Sequence, residues 1–238
     1  MYNLSELKSM LFIDIETVSE YETYLEFCNN RPGAIAHWEK KADLYRNNGD
    51  DLKNDELYLN NAALHPEFAK IVVVSIGQIS FDDTGIPITS KIKSFYGNDD
   101  KDIMSEFMMT VQSIFNKKPE IQFVGHNIKN FDFPFLVRRS IINGVKIPHQ
   151  LHLHKKKPWE NCLLDTYEVW KFGGYGSASL DLICDSLEIP SPKQIMKGNE
   201  TTVEYWNGNL EKIKEYCEAD VKSTMNVVLK ISNMPILI

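Results

Sequence analysis

The sequence predicts an α/β fold built on a mixed sheet, and three observations carry that expectation. Two segments rich in β-branched residues, 9–17 (SMLFIDIET) and 70–80 (KIVVVSIGQIS), read as strands. The first is apolar on both faces, as a central strand covered by helices must be. Beyond about residue 100, helical and strand patterns alternate, which fits strands joined by covering helices.

The elements follow in chain order. Strand 9–17 ends in acids. Residues 20–60 are polar, with aromatics and leucines at loose helical spacing, and read as one or two helices in an insertion over 18–65. Strand 70–80 is followed by a turn at 81–86 (FDDTGI), where Asp and Gly favour reversal, and by a returning strand over 87–96. Residues 100–116 form an amphipathic helix capped by Asp99 or Asp100. A short strand covers 120–126. A helix follows over 130–142, with Pro134 tolerated in its first turn. A short strand or extended piece at 162–167, a helix at 178–187 and a long last helix at 209–232 complete the pattern.

The chain has 238 residues, 43% of them hydrophobic, which suits a single well-buried domain over 1–238. No apolar run reaches the roughly 18 residues that a membrane span needs, and no basic segment precedes a signal-like core. The expected setting is cytoplasmic, with no membrane partner. Cys28, Cys162, Cys184 and Cys217 are scattered without a C-x-x-C pair, so reduced thiols are expected rather than a disulfide framework or a cysteine zinc site. The net charge of −7 argues against tight, non-specific nucleic-acid binding, but acids gathered around metal ions would inflate it.

Three groups of residues stand out. Asp14 and Glu16 are two apart at the end of an apolar strand, so both carboxylates share a face. A divalent cation would compensate their repulsion; solvated acids just past a strand are an equal reading of this pair taken alone. Tyr216 and Asp220 are four apart on the last helix and also share a face, although alone they read as a surface acid beside a packed tyrosine. Asn127 and Asp132 lie in GHNIKNFDFPFL, a strand running into a helix. That stretch suits a turn and cap, but Asp132 sits between Phe131 and Phe133 and needs a partner if buried. Asp14, Glu16, Asp132 and Asp220 together offer the hard oxygen ligands that Mg²⁺ or Mn²⁺ prefers.

In these motifs the sequence resembles the DEDD superfamily of 3'–5' exonucleases, in the tyrosine form, and within it the proofreading domain of family B DNA polymerases. FIDIET (Phe12–Thr17), HNIKNFDFPFL (His126–Leu136) and YCEADV (Tyr216–Val221) are similar to its three motifs, in order, over nearly the whole chain. The resemblance implies a ribonuclease H-like fold with a five-stranded mixed sheet flanked by helices. It implies a metal-dependent 3'–5' exonuclease that hydrolyses terminal phosphodiester bonds of nucleic acid, with single-stranded DNA expected, and releases 5'-mononucleotides. Two Mg²⁺ or Mn²⁺ ions would be held per site. Asp14, Glu16 and Asp220 would hold one ion, Asp14 would also touch the second, and Asp132 would lie close by. Tyr216 would orient the attacking water. Thr17, Asn127 and Phe131 would lie beside the terminal nucleotide. An exoribonuclease and a catalytically idle nucleic-acid-binding module are the alternatives. The implied partners are a nucleic acid 3' end and proteins of DNA replication or repair. The chain ends 18 residues after Asp220, which reads as a free-standing exonuclease able to act in trans.

Two features fall outside the motifs. Asp165 falls where proteins that this sequence resembles often carry an acid after the second motif, and reads equally as a strand-end or helix-cap Asp. The basic stretch 146–157 (KIPHQLHLHKKK) reads as a solvated loop or as a guide for phosphates, and Trp159 after it as a base-stacking residue or a loop anchor. His152 and His154 alternate, but no nearby cysteine supports a zinc site.

Overall fold

The computed structural model describes residues 1–47, 52–157, 161–176, 178–191 and 195–237; Trp159 lies outside them. A five-stranded mixed sheet, flanked by helices, organises the chain. Its strands are β1 (Met10–Ser19), β2 (Ala69–Phe81), β3 (Pro87–Tyr96), β4 (Gln122–Gly125) and β5 (Leu163–Asp165), in the order β3-β2-β1-β4-β5. The apolar run of β1 takes the centre, antiparallel to β2 and parallel to β4. β5 continues the parallel half, and β3 returns antiparallel to β2 through the Asp82–Ile86 turn.

Alternation along β1 assigns its two faces. Leu11, Ile13 and Ile15 enter one core with residues of α5 (Asp100–Lys117) and α6 (Asp132–Ile142), among them Phe107, Phe115 and Phe135. Met10 and Phe12 enter the opposite core with Val221, Met225 and Val228 of α10 (Leu210–Ile231). Asp14 and Glu16 share the parity of Phe12, so the strand's period of two points both carboxylates at α10. That helix lies close on β2 because Gly77 has no side chain. A Cβ there would sit 2.5 Å from Met225 Cε and 3.1 Å from Val221 Cγ1.

The segment expected to hold one or two helices holds three α-helices among its described residues: α2 (Tyr24–Asn30), α3 (Ile35–Asn47) and α4 (Asn54–Asn61). Phe27, Trp38, Tyr58 and Phe68 pack there into a small aromatic core of their own. α5 is capped by Asp99, whose side chain accepts from the amides of Lys101 and Asp102. Asp100 is instead buried and paired with Arg139 of α6 at 2.7 Å. Arg139 also donates to the Pro66 carbonyl and ties α6 to the loop before β2.

Three short helices were not foreseen as such: α1 (Leu4–Lys8), α7 (Thr166–Lys171), which follows β5 inside the extended piece, and α9 (Thr201–Trp206). Each is too short to display a helical period. α8 (Leu180–Ser186) matches its expected place. All four cysteines are free thiols, and no helix among the described residues is long and apolar enough to cross a membrane.

Candidate active site

The acids of β1 meet α10 where the strand pairing breaks. Glu16 is opposite Val73 and Thr17 opposite Ile71, so β2 carries one extra residue at this point. A bulge of this kind re-aims the side chains beside it. Glu16 is buried, and its Oε2 accepts from the hydroxyl of Thr201 at 3.1 Å. Thr17 is buried too and donates to the Ala63 carbonyl at 2.8 Å, which ties β1 to the end of the helical insertion.

α10 presents Tyr216, Cys217 and Asp220 to these acids. Tyr216 and Asp220 are one helical turn apart, both 8% exposed, and linked by a side-chain hydrogen bond. Cys217 is fully buried, with Sγ 3.3 Å from Asp14 Oδ2 and 3.4 Å from the Asp14 carbonyl. Burial and the neighbouring Asp14 push its thiol well above the ordinary range, so it stays protonated and donates. Ligand atoms of Asp14, Glu16 and Cys217 lie within 4.8 Å of one another and form a candidate metal-binding cluster.

The third side is the turn from β4 into α6. Asn127 adopts a left-handed φ of 61°, and the chain must pass close to β1 there. A Cβ on Gly125 would be 3.0 Å from the Ile13 carbonyl and 2.9 Å from Ile128 Cβ, so only glycine fits without a shift. The turn is held by Asp165. Its carboxylate accepts from the backbone amides of Asn127, Lys129 and Tyr167 at 2.8, 3.1 and 3.0 Å. Asp165 is therefore a cap and a clamp on this turn. His126 lies between Thr166 and the Ala178 carbonyl, to which its Nε2 donates at 3.1 Å. Asp132, 4% exposed, opens α6, where the unpaired amides of the first turn favour a carboxylate. Backbone amides of Asp132 itself and of Ile15 also bond to it.

These elements enclose a cleft of about 370 Å³ whose lining includes Asp14, Glu16, Thr17, Asn127, Phe131 and Asp132. Asp220 and Tyr216 adjoin it through the fields that they and the cleft acids exert on one another. All eight residues singled out in the sequence thus come to one region. The sequence reading missed Gly198, Asn199 and Thr202, which line the cleft just before and at the start of α9, Leu59 and Asn60 from α4, and Thr201, whose hydroxyl bonds to Glu16. None carried a motif. Cys217 was legible in principle, since it lies three residues before Asp220 on the same helical face.

Burial and mutual repulsion dominate the electrostatics of the four acids. Burial, then the charges of Asp220, Asp132 and Glu16, hold Asp14 well above the usual carboxylate range. Burial and Asp220 raise Glu16 similarly, against the Thr201 hydrogen bond. Asp132 and Asp220 are each pushed up to about 7, chiefly by burial. Among the described residues no lysine or arginine is paired with any of the four. Crowded, desolvated oxygen donors with no cationic partner fit a hard divalent ion.

Comparison with known proteins defines the class. A family described as "predicted 3'-5' exonuclease related to the exonuclease domain of PolB" matches residues 62–235, and the chain belongs to that family. It is an exonuclease-class domain of the DEDD superfamily type. The match holds the second and third motifs; Asp14 and Glu16 precede it and join them only through the sheet. Among solved structures, 56 chains are similar. One is the family B DNA polymerase of the archaeon Pyrobaculum calidifontis, with 17% identity and a TM-score of 0.55, covering 93% of this chain and 24% of the polymerase. Another is E. coli exonuclease I in complex with a 5cy-dA13 oligonucleotide, with 13% identity and a TM-score of 0.44, covering 93% of this chain and 40% of that one. The chain thus spans well under half the length of either. A comparison with curated protein sequences found no match.

Proposed function

We propose that this chain is a metal-dependent 3'–5' exonuclease that removes 5'-mononucleotides from the 3' end of single-stranded DNA. The observation that carries this reading is the convergence of Asp14, Glu16, Asp132 and Asp220 beside a cleft whose walls include Thr17, Asn127 and Phe131.

Asp14, Glu16 and Asp220 would hold one Mg²⁺ or Mn²⁺ ion, and Asp14 with Asp132 nearby would serve a second. Such ions would supply Lewis-acid activation of water and stabilisation of the leaving oxygen. The protein's own groups supply position. Cys217 donates to Asp14 and Thr201 to Glu16, and each bond restrains one carboxylate rotor. Burial, with the charges of Asp220, Glu16 and Asp14, drives the Tyr216 phenol far above its ordinary pKa, so it stays protonated at neutral pH. It is therefore not a free base; its hydroxyl holds and aims the attacking water. Phe131 is half-buried and offers a ring edge to the terminal base, while Thr17 and Asn127 flank the terminal sugar and phosphate.

The test uses 5'-labelled DNA and RNA oligonucleotides with Mg²⁺, Mn²⁺ or chelator. A descending ladder on DNA, abolished by chelator, is expected. Early internal products would mark an endonuclease, preferential RNA degradation an exoribonuclease, and binding without hydrolysis an idle module.

A further inference from the structure

A second cavity, larger than the cleft at about 520 Å³, lies between the helical insertion and α6. Its lining reverses the sign of the protein. Lys40 and Lys41 of α3 and Arg138 of α6 face it, together with Arg31. Arg31 is engaged by Glu20 at 2.5 Å. Among the described residues no carboxylate lies within ion-pair distance of Lys40, Lys41 or Arg138. Glu67 is the acid among the lining residues, so the cavity keeps a positive excess in a chain of net charge −7. Burial, with the neighbouring Lys41 charge, pushes His65 down to about 4, so the imidazole forms a neutral wall bonded to the Tyr45 hydroxyl.

The cavity also has apolar ground. Leu44 and Leu64 are 59% and 51% exposed there. Leu64 lines both this cavity and the active-site cleft, so the two are neighbours on either side of one side chain. The joining loop is anchored at its far end, where buried Arg139 donates to the Pro66 carbonyl. Cations with nearby apolar surface are what a single strand requires, since its phosphates need charge and its bases need flat or apolar contact.

We propose that this cavity is a binding site for the phosphodiester backbone of the substrate strand, on the 5' side of the nucleotide held in the cleft. Resting on the exonuclease reading, it makes the insertion at α2–α4 a strand guide and places Lys40, Lys41 and Arg138 on successive phosphates. From the basic stretch 146–157, Lys156 lies elsewhere: it lines a separate cleft with Ser9 and Gln122, at the N-terminal ends of β1 and β4, away from the acids.

The test combines Lys40→Gln, Lys41→Gln and Arg138→Gln, which remove charge and keep most of the side-chain stems. A control combines Lys91→Gln, Lys117→Gln and Lys118→Gln, which changes net charge equally and lies outside both cavities. Binding of a fluorescent single strand of about 20 nucleotides is followed by anisotropy from low to moderate salt, in an Asp14→Asn background so that the strand is not consumed. The cavity triple should bind at least about tenfold more weakly, with the slope of log affinity against log salt reduced by about 2, since each phosphate contact on a single strand contributes about 0.7. The control should stay close to the parent. With Asp14 restored, the cavity triple should show a raised KM on the long strand and unchanged hydrolysis of a dinucleotide. Equal affinity and salt slope for the cavity and control triples would overturn the proposal. If the parent hydrolyses no substrate, the exonuclease reading falls, while the anisotropy comparison still decides the cavity.

Discussion

Asp14→Asn separates function from stability at one atom. The change keeps the shape of the side chain and leaves an oxygen to accept from Cys217, but removes one charge from a buried acidic group. Ligand atoms of Asp14 and Glu16 lie within 4.8 Å. Two unit charges at that separation repel by about 3.5 kcal/mol at an effective dielectric of about 20. Proton uptake and cleft water relieve part of this, which leaves a net gain of about 1–2 kcal/mol for the variant when no metal is present. In a chain of this size each kcal/mol moves the melting temperature by about 2–4 °C, so a rise of about 2–8 °C is expected. The assay is thermal unfolding at pH 8 with chelator, beside exonuclease turnover with Mg²⁺ or Mn²⁺. The variant should be more stable than the parent and inactive. The stability difference should vanish near pH 5, where the acids are protonated, and Mn²⁺ should raise the parent's melting temperature more than the variant's. A variant no more stable than the parent at pH 8 in chelator would refute the repulsion argument. Full turnover would refute the metal-ligand assignment.

Other expectations concern the same site. Tyr216→Phe keeps the ring in its packing with Val18 and Val72 and removes the hydroxyl, so turnover should fall strongly, though less than for Asp14→Asn, with little change in melting temperature; wild-type turnover with chemistry rate-limiting would return Tyr216 to a packing role. Asp165→Ala strands the three amides of Asn127, Lys129 and Tyr167, and should cost about 2–4 kcal/mol in urea unfolding as well as activity; a loss under about 0.5 kcal/mol would show that water replaces the clamp. The metal-free protein should lose stability as pH rises. Asp132 and Asp220, raised from 3.8 to about 7, keep protons that the unfolded chain has released, so their contribution is full below about pH 4 and is lost as pH rises through about 7; calorimetry in chelator showing the opposite slope over that window would contradict the assignment.

The sequence by itself determined the sheet's centre and the acids. The unbroken apolar run of β1 required cover on both faces, and its period of two put Asp14 and Glu16 on one of them. One helical turn placed Tyr216 with Asp220, because local geometry fixes spacing within a strand or helix. It could not determine what closed the site. Thr201 is 185 residues from Glu16 in the chain, and Cys217 is 203 from Asp14. Their contacts arise only when α9 and α10 settle on the sheet. The same holds for the third insertion helix and for the cationic cavity, which draws Lys40, Lys41 and Arg138 from elements far apart in sequence. Asp165 shows the division most sharply. Its place at a strand end was legible, but its clamp on the Asn127 turn depends on β4 and β5 lying side by side, and no local pattern encodes which strands become neighbours.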